Sequence, residues 1–131
     1  MRVRTCFVLL VCLLACGGCG KTKSTDELIA DLKSSEERDR LIAVRLLAQR
    51  TGEAERIVPA LTEALKDKAD DVRLSAAIGL GYFGEQARDA VPALQAAQQD
   101  HDARIREAAG VALSRIDPGR FPAPARAGRG K

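Results

Sequence analysis

Apolar residues recur along most of the chain at the spacing of one helix face. In the stretch DDVRLSAAIGLGYFG (70–84), Val72, Ala76, Leu80 and Phe83 fall on one side of a helix. Applied along the chain, this spacing predicts helices near 25–33, 36–50, 54–66, 71–83, 87–99 and 103–116. Strand-like alternation is found nowhere, so the sequence predicts an all-α fold.

The ends of these helices carry polar, glycine and proline signals. Asp70 or Asp71 is expected to cap the helix over 71–83, and Gly84 is expected to end it. Pro92 lies near the start of the next helix, where a missing amide proton is tolerated. Gly79 and Gly81 lie inside a helix at a cost of about 1 kcal/mol each. We interpret them as positions where a neighbouring helix comes close.

The pattern repeats with a period of 33 residues. The string VPAL, which contains Pro59 and later Pro92, begins at Val58 and again at Val91. Three further series keep the same offset, namely Arg40, Arg73 and Arg106, then Ala43, Ala76 and Ala109, and then Leu47, Leu80 and Leu113. Because stacked helix pairs bury a continuous core, we predict a short α-solenoid of about two and a half pairs plus a leading helix.

The second repeat resembles a known family. Residues 70–100, DDVRLSAAIGLGYFGEQARDAVPALQAAQQD, are similar to the short bacterial form of the HEAT repeat, often called phycobilisome-lyase-like. The third repeat matches in its first helix only, and the first repeat departs more, with Arg40 and Leu41 in place of Val-Arg-Leu. The resemblance covers residues 25–117 and concerns architecture rather than activity. It implies that Arg40, Arg73 and Arg106 pair with acidic residues of an adjacent turn.

The first residues predict export. Arg2 and Arg4 precede an apolar run from Cys6 to Ala15, which is the layout of a secretory signal peptide and too short to span a membrane. The segment Leu-Leu-Ala-Cys ending at Cys16 resembles a bacterial lipobox, with Cys19 as an alternative register. This resemblance implies a signal peptide over 1–15 and a tether over 16–24 that carries lipid (palmitate) chains. The expected location is the periplasmic or cell-surface side of a bacterial membrane.

The cysteines could instead form a metal or redox site, because Cys16 and Cys19 have the C-x-x-C spacing. A zinc site needs four ligands, and the other candidates are Cys6, Cys12 and the distant His101. A redox motif of this kind would lie beside a βαβ pattern, which is absent. We therefore expect no metal and no cofactor.

Charge is unevenly distributed along the chain. The net charge is +3, but six basic residues lie at the two ends, and without them 15 basic residues face 18 acidic ones. A nucleic-acid-binding domain shows the opposite balance, so no nucleic-acid partner is expected. Residues 118–131 are rich in Pro, Gly, Ala and Arg without periodicity, which predicts a disordered basic tail.

The predicted domain contains little that could support catalysis. It has no cysteine, and its one histidine, His101, lies in a loop between two aspartates. We therefore expect neither a catalytic residue nor a small-molecule substrate. The leading hypothesis is a lipid-anchored adaptor or scaffold that binds an unknown protein. Because the third pair lacks its second helix, the flank near Ile105, Val111 and Ile116 is either a capped end or a docking edge.

Two alternatives follow from relatives of the repeat family. One is a cytoplasmic accessory protein of the bilin lyase type, and the other is a nucleic-acid-binding protein of the DNA-glycosylase type. The export signal disfavours both, and the acidic balance of the predicted domain disfavours the second. Localisation separates them from the leading hypothesis.

Overall fold

The computed structural model describes residues 22–123, and within them all regular secondary structure is helical. The α-helices are α1 (Thr25–Asp31), α2 (Glu37–Leu47), α3 (Ala54–Ala64), α4 (Asp70–Tyr82), α5 (Val91–Ala97) and α6 (Ala103–Ile116). Two 3-10 helices cover Thr51–Glu53 and Gly84–Ala90. The predicted all-α class is confirmed for this part of the chain. The predicted signal peptide, Cys16 and Cys19 lie outside it.

The helices form two layers with α4 at the centre. We call α2, α4 and α6, which lie side by side, the front layer, and we call α1, α3 and residues 84–97 the back layer. The apolar core lies between the layers. Its largest fully buried side chains are Leu28, Leu47, Ile57, Leu61, Leu80, Leu94, Ile105, Leu113 and Ile116. The structure is thus a short α-solenoid, as predicted from the repeat.

Helix starts follow local hydrogen bonds. Ser24 and Glu27 form a capping box at α1, in which each side chain accepts the backbone N–H of the other residue. The N-cap of α4 is Ala69, so the expectation of Asp70 or Asp71 is wrong by one or two residues. The reason lies in the loop, where Asp67 Oδ1 accepts the N–H of Ala69 at 2.9 Å and starts the turn early.

The same loop hydrogen bond recurs in each repeat. Ser34 Oγ accepts the N–H of Glu36 at 3.2 Å, and Asp100 Oδ1 accepts the N–H of Asp102 at 2.9 Å. With Asp67 these acceptors are spaced 33 residues apart. Each loop between repeats is therefore built on one short polar side chain.

The end of α4 follows the prediction, whereas the start of the next helix does not. Gly84 has φ +52°, a left-handed conformation that stops α4. The α-helix predicted over 87–99 begins only at Val91, because 84–90 is a 3-10 segment with a break at Ala87. Pro92 is then within the first turn, where its missing N–H needs no partner.

Small residues set the distance between helices of the front layer. A Cβ atom on Gly79 would lie 3.0 Å from Cβ of Ala48 in the turn after α2, and one on Gly81 would lie 3.3 Å from Cα of Ala112 in α6. Ala48 and Gly81 are one repeat apart, as are Gly79 and Ala112. We call each contact between neighbouring front-layer helices a junction. Each junction therefore brings together one alanine and one glycine, which explains the close approach inferred from the sequence.

The C-terminal end of the solenoid is covered. Ile105 and Ile116 are fully buried and Val111 is partly buried, so of the two alternatives left open for this flank the capped end describes Ile105 and Ile116. The cause is that residues 84–97 pack against α6 from the back layer. After α6 the chain makes a turn that packs Phe121 on the core, which differs from the prediction of disorder from residue 118.

Candidate functional site

Helix α4 carries two apolar stripes. One contains Val72, Ala76 and Leu80 and is buried in the core. The other contains Leu74, Ile78 and Tyr82, which are spaced four residues apart and therefore share a second side of the helix. Ile78 and Tyr82 point outward, and we call them the α4 ridge.

The exposed apolar surface extends to the neighbouring helices. The large apolar side chains that are clearly exposed within residues 22–123 all belong to the front layer: Ile42 (44%), Leu46 (39%), Ile78 (40%) and Tyr82 (57%). Val111 and Ala108 of α6 continue this surface as partly buried residues. Ile78, Tyr82, Ala108 and Val111 line one groove and are therefore contiguous, whereas Ile42 and Leu46 line neither groove beside α4. An apolar side chain that is exposed singly is ordinary, but a contiguous group marks an interaction surface.

A groove lies on each side of the α4 ridge. The α2–α4 groove, about 430 Å³, is lined by Arg45, Gln49 and Gly79 together with the ridge. The α4–α6 groove, about 310 Å³, is lined by Gly81, Arg104, Glu107, Val111 and Arg115. Gly79 and Gly81 contribute no side chain to either groove, so the ridge stands clear of its surroundings.

The charges that line the grooves are mainly positive. Arg45, Arg104 and Arg115 face one carboxylate, Glu107. Arg104 is already paired, with Asp102 at 2.7 Å and Asp71 at 3.5 Å. The guanidinium of Arg115 lies 5.9 Å from the centre of the Tyr82 ring, a cation–π distance. Within residues 22–123, neither Arg45 nor Arg115 forms an ion pair.

The back layer has the opposite charge. Its residues carry seven carboxylates and only two basic side chains, Arg56 and Arg88. The front layer carries five carboxylates and seven arginines. The described part of the molecule is therefore electrically polarised from one layer to the other, with the apolar ridge on the positive side.

The arginines singled out from the sequence lie away from the grooves and connect the loops between repeats. Arg40 Nε donates to Asp67 at 2.7 Å, and Arg73 Nε donates to Asp100 at 2.9 Å, each partner being 27 residues later. Both guanidinium groups also donate to carbonyl oxygens of the preceding loop. Arg40 and Arg73 are buried and make the acidic pairs that the family resemblance implies.

Arg106 differs from the other two arginines. It is exposed and donates to the carbonyl oxygens of Asp100 at 2.8 Å and His101 at 2.9 Å. Within residues 22–123 it has no carboxylate partner, so the implied acidic pair is wrong at this position. In all three repeats the arginine therefore donates to carbonyl oxygens of the loop before its helix. Only in the first two repeats does it also pair with an aspartate of the following loop.

The paired aspartates have shifted pKa values. Burial alone would raise the pKa of Asp67, but hydrogen bonds from Arg40 and from the amide of Ala69 outweigh it and lower the pKa below its usual range. The hydrogen bond from Arg73 likewise lowers the pKa of Asp100. Both carboxylates are therefore held in their ionised form.

The other residues singled out from the sequence lie in the core, on the back layer or in a loop. Leu47, Leu80 and Leu113 are buried in the core, and Pro59 and Pro92 are exposed on the back layer. His101 is exposed and lies 3.2 Å from Asp100 and 3.3 Å from Asp70. None of these residues lines either groove beside the ridge.

Sequence reasoning missed the residues that form the exposed surface. Leu74, Ile78 and Tyr82 follow one another at intervals of four residues in α4. This second stripe, out of phase with the buried one, was a signal present in the sequence. It could have identified the front layer as the side with unburied apolar surface.

The polar groups within residues 22–123 are satisfied by the fold itself. The buried polar or charged residues are Thr25, Arg40 and Arg73, and no buried side-chain nitrogen or oxygen in this range lacks a hydrogen-bond partner. In the same range, no helix combines the length and the apolar character that crossing a bilayer requires. Nor does the range bring together three or more side chains suited to holding a metal ion.

Comparisons with known proteins agree with the repeat. None of the curated proteins compared with the chain matches it. Among solved structures, a chain in the structure of the complex of CpcE and CpcF of phycocyanin lyase from Nostoc sp. PCC7120 is 32% identical, with a TM-score of 0.66. The alignment covers 72% of this chain and 38% of that chain, so the chain spans less than two fifths of that chain's length. The family described as HEAT repeats matches residues 25–114, and the chain belongs to the HEAT-repeat family.

Proposed function

We propose that this chain is a non-catalytic protein-binding module and that its binding surface is the exposed side of the front layer. The observation that carries the proposal is the α4 ridge of Ile78 and Tyr82 between two grooves. HEAT-repeat solenoids present extended surfaces of this kind to their partners.

The residue types of the ridge suit a protein interface. Tyrosine and arginine are enriched among residues that dominate binding energy, and Tyr82 lies against Arg115. Ile78 and Tyr82 are about half exposed, so covering them fully contributes about 1 kcal/mol each through the hydrophobic effect. Val111 and Ala108 enlarge the same surface on the α6 side.

The experiment that tests this proposal uses a photoreactive amino acid at position 82, in the cells that produce the protein. A second chain with the same group at position 88, on the back layer, is the matched control. We expect a covalent protein adduct from position 82 and not from position 88. The adduct is also expected to disappear when Ile78→Asp is added, while the thermal unfolding midpoint stays the same. Adducts only from position 88, or an adduct insensitive to Ile78→Asp, would contradict the proposal.

A membrane tether is the second part of the proposal. The lipobox-like segment before Cys16, with Cys19 as the alternative, supports an adaptor or scaffold on the outer side of a bacterial membrane. Its test is the mass of the mature N-terminal peptide, with membrane fractionation of wild type and Cys16→Ser. We expect a lipid-modified peptide beginning at Cys16 that is lost in the variant. A modified peptide beginning at Cys19 would support the other register.

The second candidate function is a cytoplasmic accessory protein of the bilin lyase type. The similarity to a chain of the CpcE–CpcF complex of phycocyanin lyase favours it. The same mass measurement separates the two candidates. An unmodified chain that begins at Met1 and remains in the cytosol supports the lyase-type role and excludes the tether.

A further inference from the structure

We propose that the occupant of the front-layer surface is an amphipathic α-helix of a partner protein that carries acidic side chains beside its apolar stripe. This inference rests on the proposed function, because it specifies the partner for the same surface. Its two supports are the shape of the surface and the sign of its charges.

The shape fits a helix lying along α4. The α4 ridge is flanked by a groove on each side, and α4 has 13 residues, which corresponds to a length of about 20 Å. A helix of about four turns presents apolar side chains at positions i, i+3, i+4 and i+7, and such helices bind in apolar grooves. Its apolar stripe would rest on Ile78 and Tyr82 and extend into the grooves on both sides.

The charges select an acidic helix. Three arginines and one glutamate line the grooves, and Arg45 and Arg115 form no ion pair within residues 22–123. They lie on opposite sides of the ridge, one in each groove. Carboxylates on both sides of a central apolar stripe would therefore each meet an arginine. Since the back layer is acidic, an acidic partner is also steered toward the front layer.

The same charges argue against two other occupants. A second copy placed front to front would bring two positive surfaces together. The second is the C-terminal segment of this chain. Its basic residues Arg126, Arg129 and Lys131 carry the same positive charge as the grooves. A separate acidic helix is the occupant that satisfies both the apolar ridge and the arginines.

Tyr82 provides a local optical signal for the test, because the chain has one tyrosine and no tryptophan. The full chain is titrated with designed helical peptides that lack tyrosine and tryptophan and share one leucine stripe. One peptide carries glutamates beside the stripe, a second carries lysines there, and a third has the composition of the first in scrambled order. The change in Tyr82 fluorescence reports binding at the ridge.

We expect the glutamate peptide to bind about tenfold more tightly than the lysine peptide at low salt, and the scrambled peptide not to bind. The variant carrying both Arg45→Glu and Arg115→Glu should reverse this preference. Arg88→Glu, a matched change on the back layer, should leave it unchanged. Equal binding of the first two peptides, or tighter binding of the lysine peptide by the unmodified chain, overturns the inference.

Two further outcomes separate this inference from the proposed function. If photo-cross-linking at position 82 yields an Ile78-dependent adduct but no glutamate peptide changes Tyr82 fluorescence, the surface binds a protein and the acidic-helix inference is wrong. If neither experiment gives a signal, the proposed function fails as well. A full chain that sediments as a dimer and becomes monomeric with Ile78→Asp identifies a second copy as the occupant and overturns the inference.

Discussion

Three arginines at equivalent repeat positions occupy three different environments. Arg73 donates to two aspartates and one carbonyl, Arg40 donates to one aspartate and two carbonyls, and Arg106 donates to carbonyls only. Arg40 and Arg73 are buried, whereas Arg106 is exposed. The same residue type therefore has different consequences for stability, because removing one member of a buried pair leaves a desolvated charge.

Arg73→Ala is expected to lower the free energy of unfolding by about 3 kcal/mol, because it leaves the largely buried carboxylate of Asp100 without its main partner. Arg106→Ala is the matched control at the same repeat position and should cost less than about 1 kcal/mol. Denaturant unfolding followed by circular dichroism measures both. Equal losses would show that the buried ion pair does not stabilise the fold.

The lowered pKa of Asp67 makes the stability of the fold depend on pH. Its pKa is lower in the folded state than in the unfolded state. The ionised carboxylate therefore contributes fully to the free energy of unfolding above the unfolded pKa of about 3.9. That contribution is lost as the pH falls from there through the folded pKa. We expect the thermal midpoint of the wild type to decrease in this range. In Asp67→Asn it should be lower at neutral pH and decrease less on acidification.

The matched control is Asp89→Asn, which changes an exposed carboxylate of the back layer. Its midpoint should follow the wild-type profile over the same acid range. A wild-type slope retained in Asp67→Asn would assign the acid sensitivity to other carboxylates.

At the scale of elements, α4 is defined by its two glycines as much as by its apolar residues. A glycine inside a helix lowers helix propensity by about 1 kcal/mol relative to alanine. At Gly79 this cost is offset by the close contact with Ala48, whose Cβ is fixed to the backbone and cannot rotate away. At Gly110 in α6 the nearest atom to an added Cβ is Nε2 of Gln98 at 3.5 Å, at the end of a flexible side chain.

Substituting alanine at these two positions is therefore expected to have opposite effects. Gly110→Ala should increase stability by up to about 1 kcal/mol, because helix propensity improves and an ordinary contact forms. Gly79→Ala should decrease stability, because α2 and α4 must separate. Thermal unfolding of both variants gives the signs directly. A stabilised Gly79→Ala would mean that the turn at Ala48 can move without cost.

The elements show which parts of the fold were predictable. The 33-residue period and the buried stripe of Val72, Ala76 and Leu80 were sufficient for the helix order and the two-layer core. The 3-10 segment over 84–90 was not predictable, because α3 has the same VPAL string yet continues as an α-helix through Pro59. The difference depends on how the chain leaves Gly84, which is a matter of tertiary packing.

At the scale of the whole molecule, each helix contacts mainly its neighbours along the solenoid. Helix α1 packs on α2 and α3, whereas α4 packs on α2, α3, α6 and the 84–90 segment. In such an arrangement stability is a sum of unit and junction contributions, so an end can open without the centre. The location of a destabilising change therefore matters as much as its size.

Leu28→Ala and Leu80→Ala test this property with the same chemical change at two fully buried positions. Each should cost about 2–5 kcal/mol where its contacts are lost. In hydrogen exchange, Leu28→Ala should accelerate the amides of α1 and leave those of α6 unchanged. Leu80→Ala should accelerate exchange in all helices of residues 22–123. Uniform acceleration by Leu28→Ala would instead show a single cooperative unit.

The candidate surface was less predictable than the fold. An outward leucine or isoleucine is common on any soluble protein, so Ile42, Leu46 and Ile78 carry no signal one at a time. The meaning of Ile78 comes from α4 lying beside α6, which places Ile78, Tyr82 and Val111 along one groove. The charge contrast between the layers likewise emerges only when helices distant in sequence are grouped by layer.

The alternation of alanine and glycine at the junctions implies a rule for lengthening the molecule. Both junctions of the front layer join one alanine to one glycine, as Ala48 with Gly79 and as Gly81 with Ala112. A duplicated unit of residues 70–102 would reproduce the Arg73–Asp100 pair, but it would place Gly81 opposite a second Gly79. One methyl group, supplied by Gly81→Ala in the first copy, restores the spacing. The solenoid can therefore be lengthened one unit at a time, and each added unit requires one substitution of glycine by alanine.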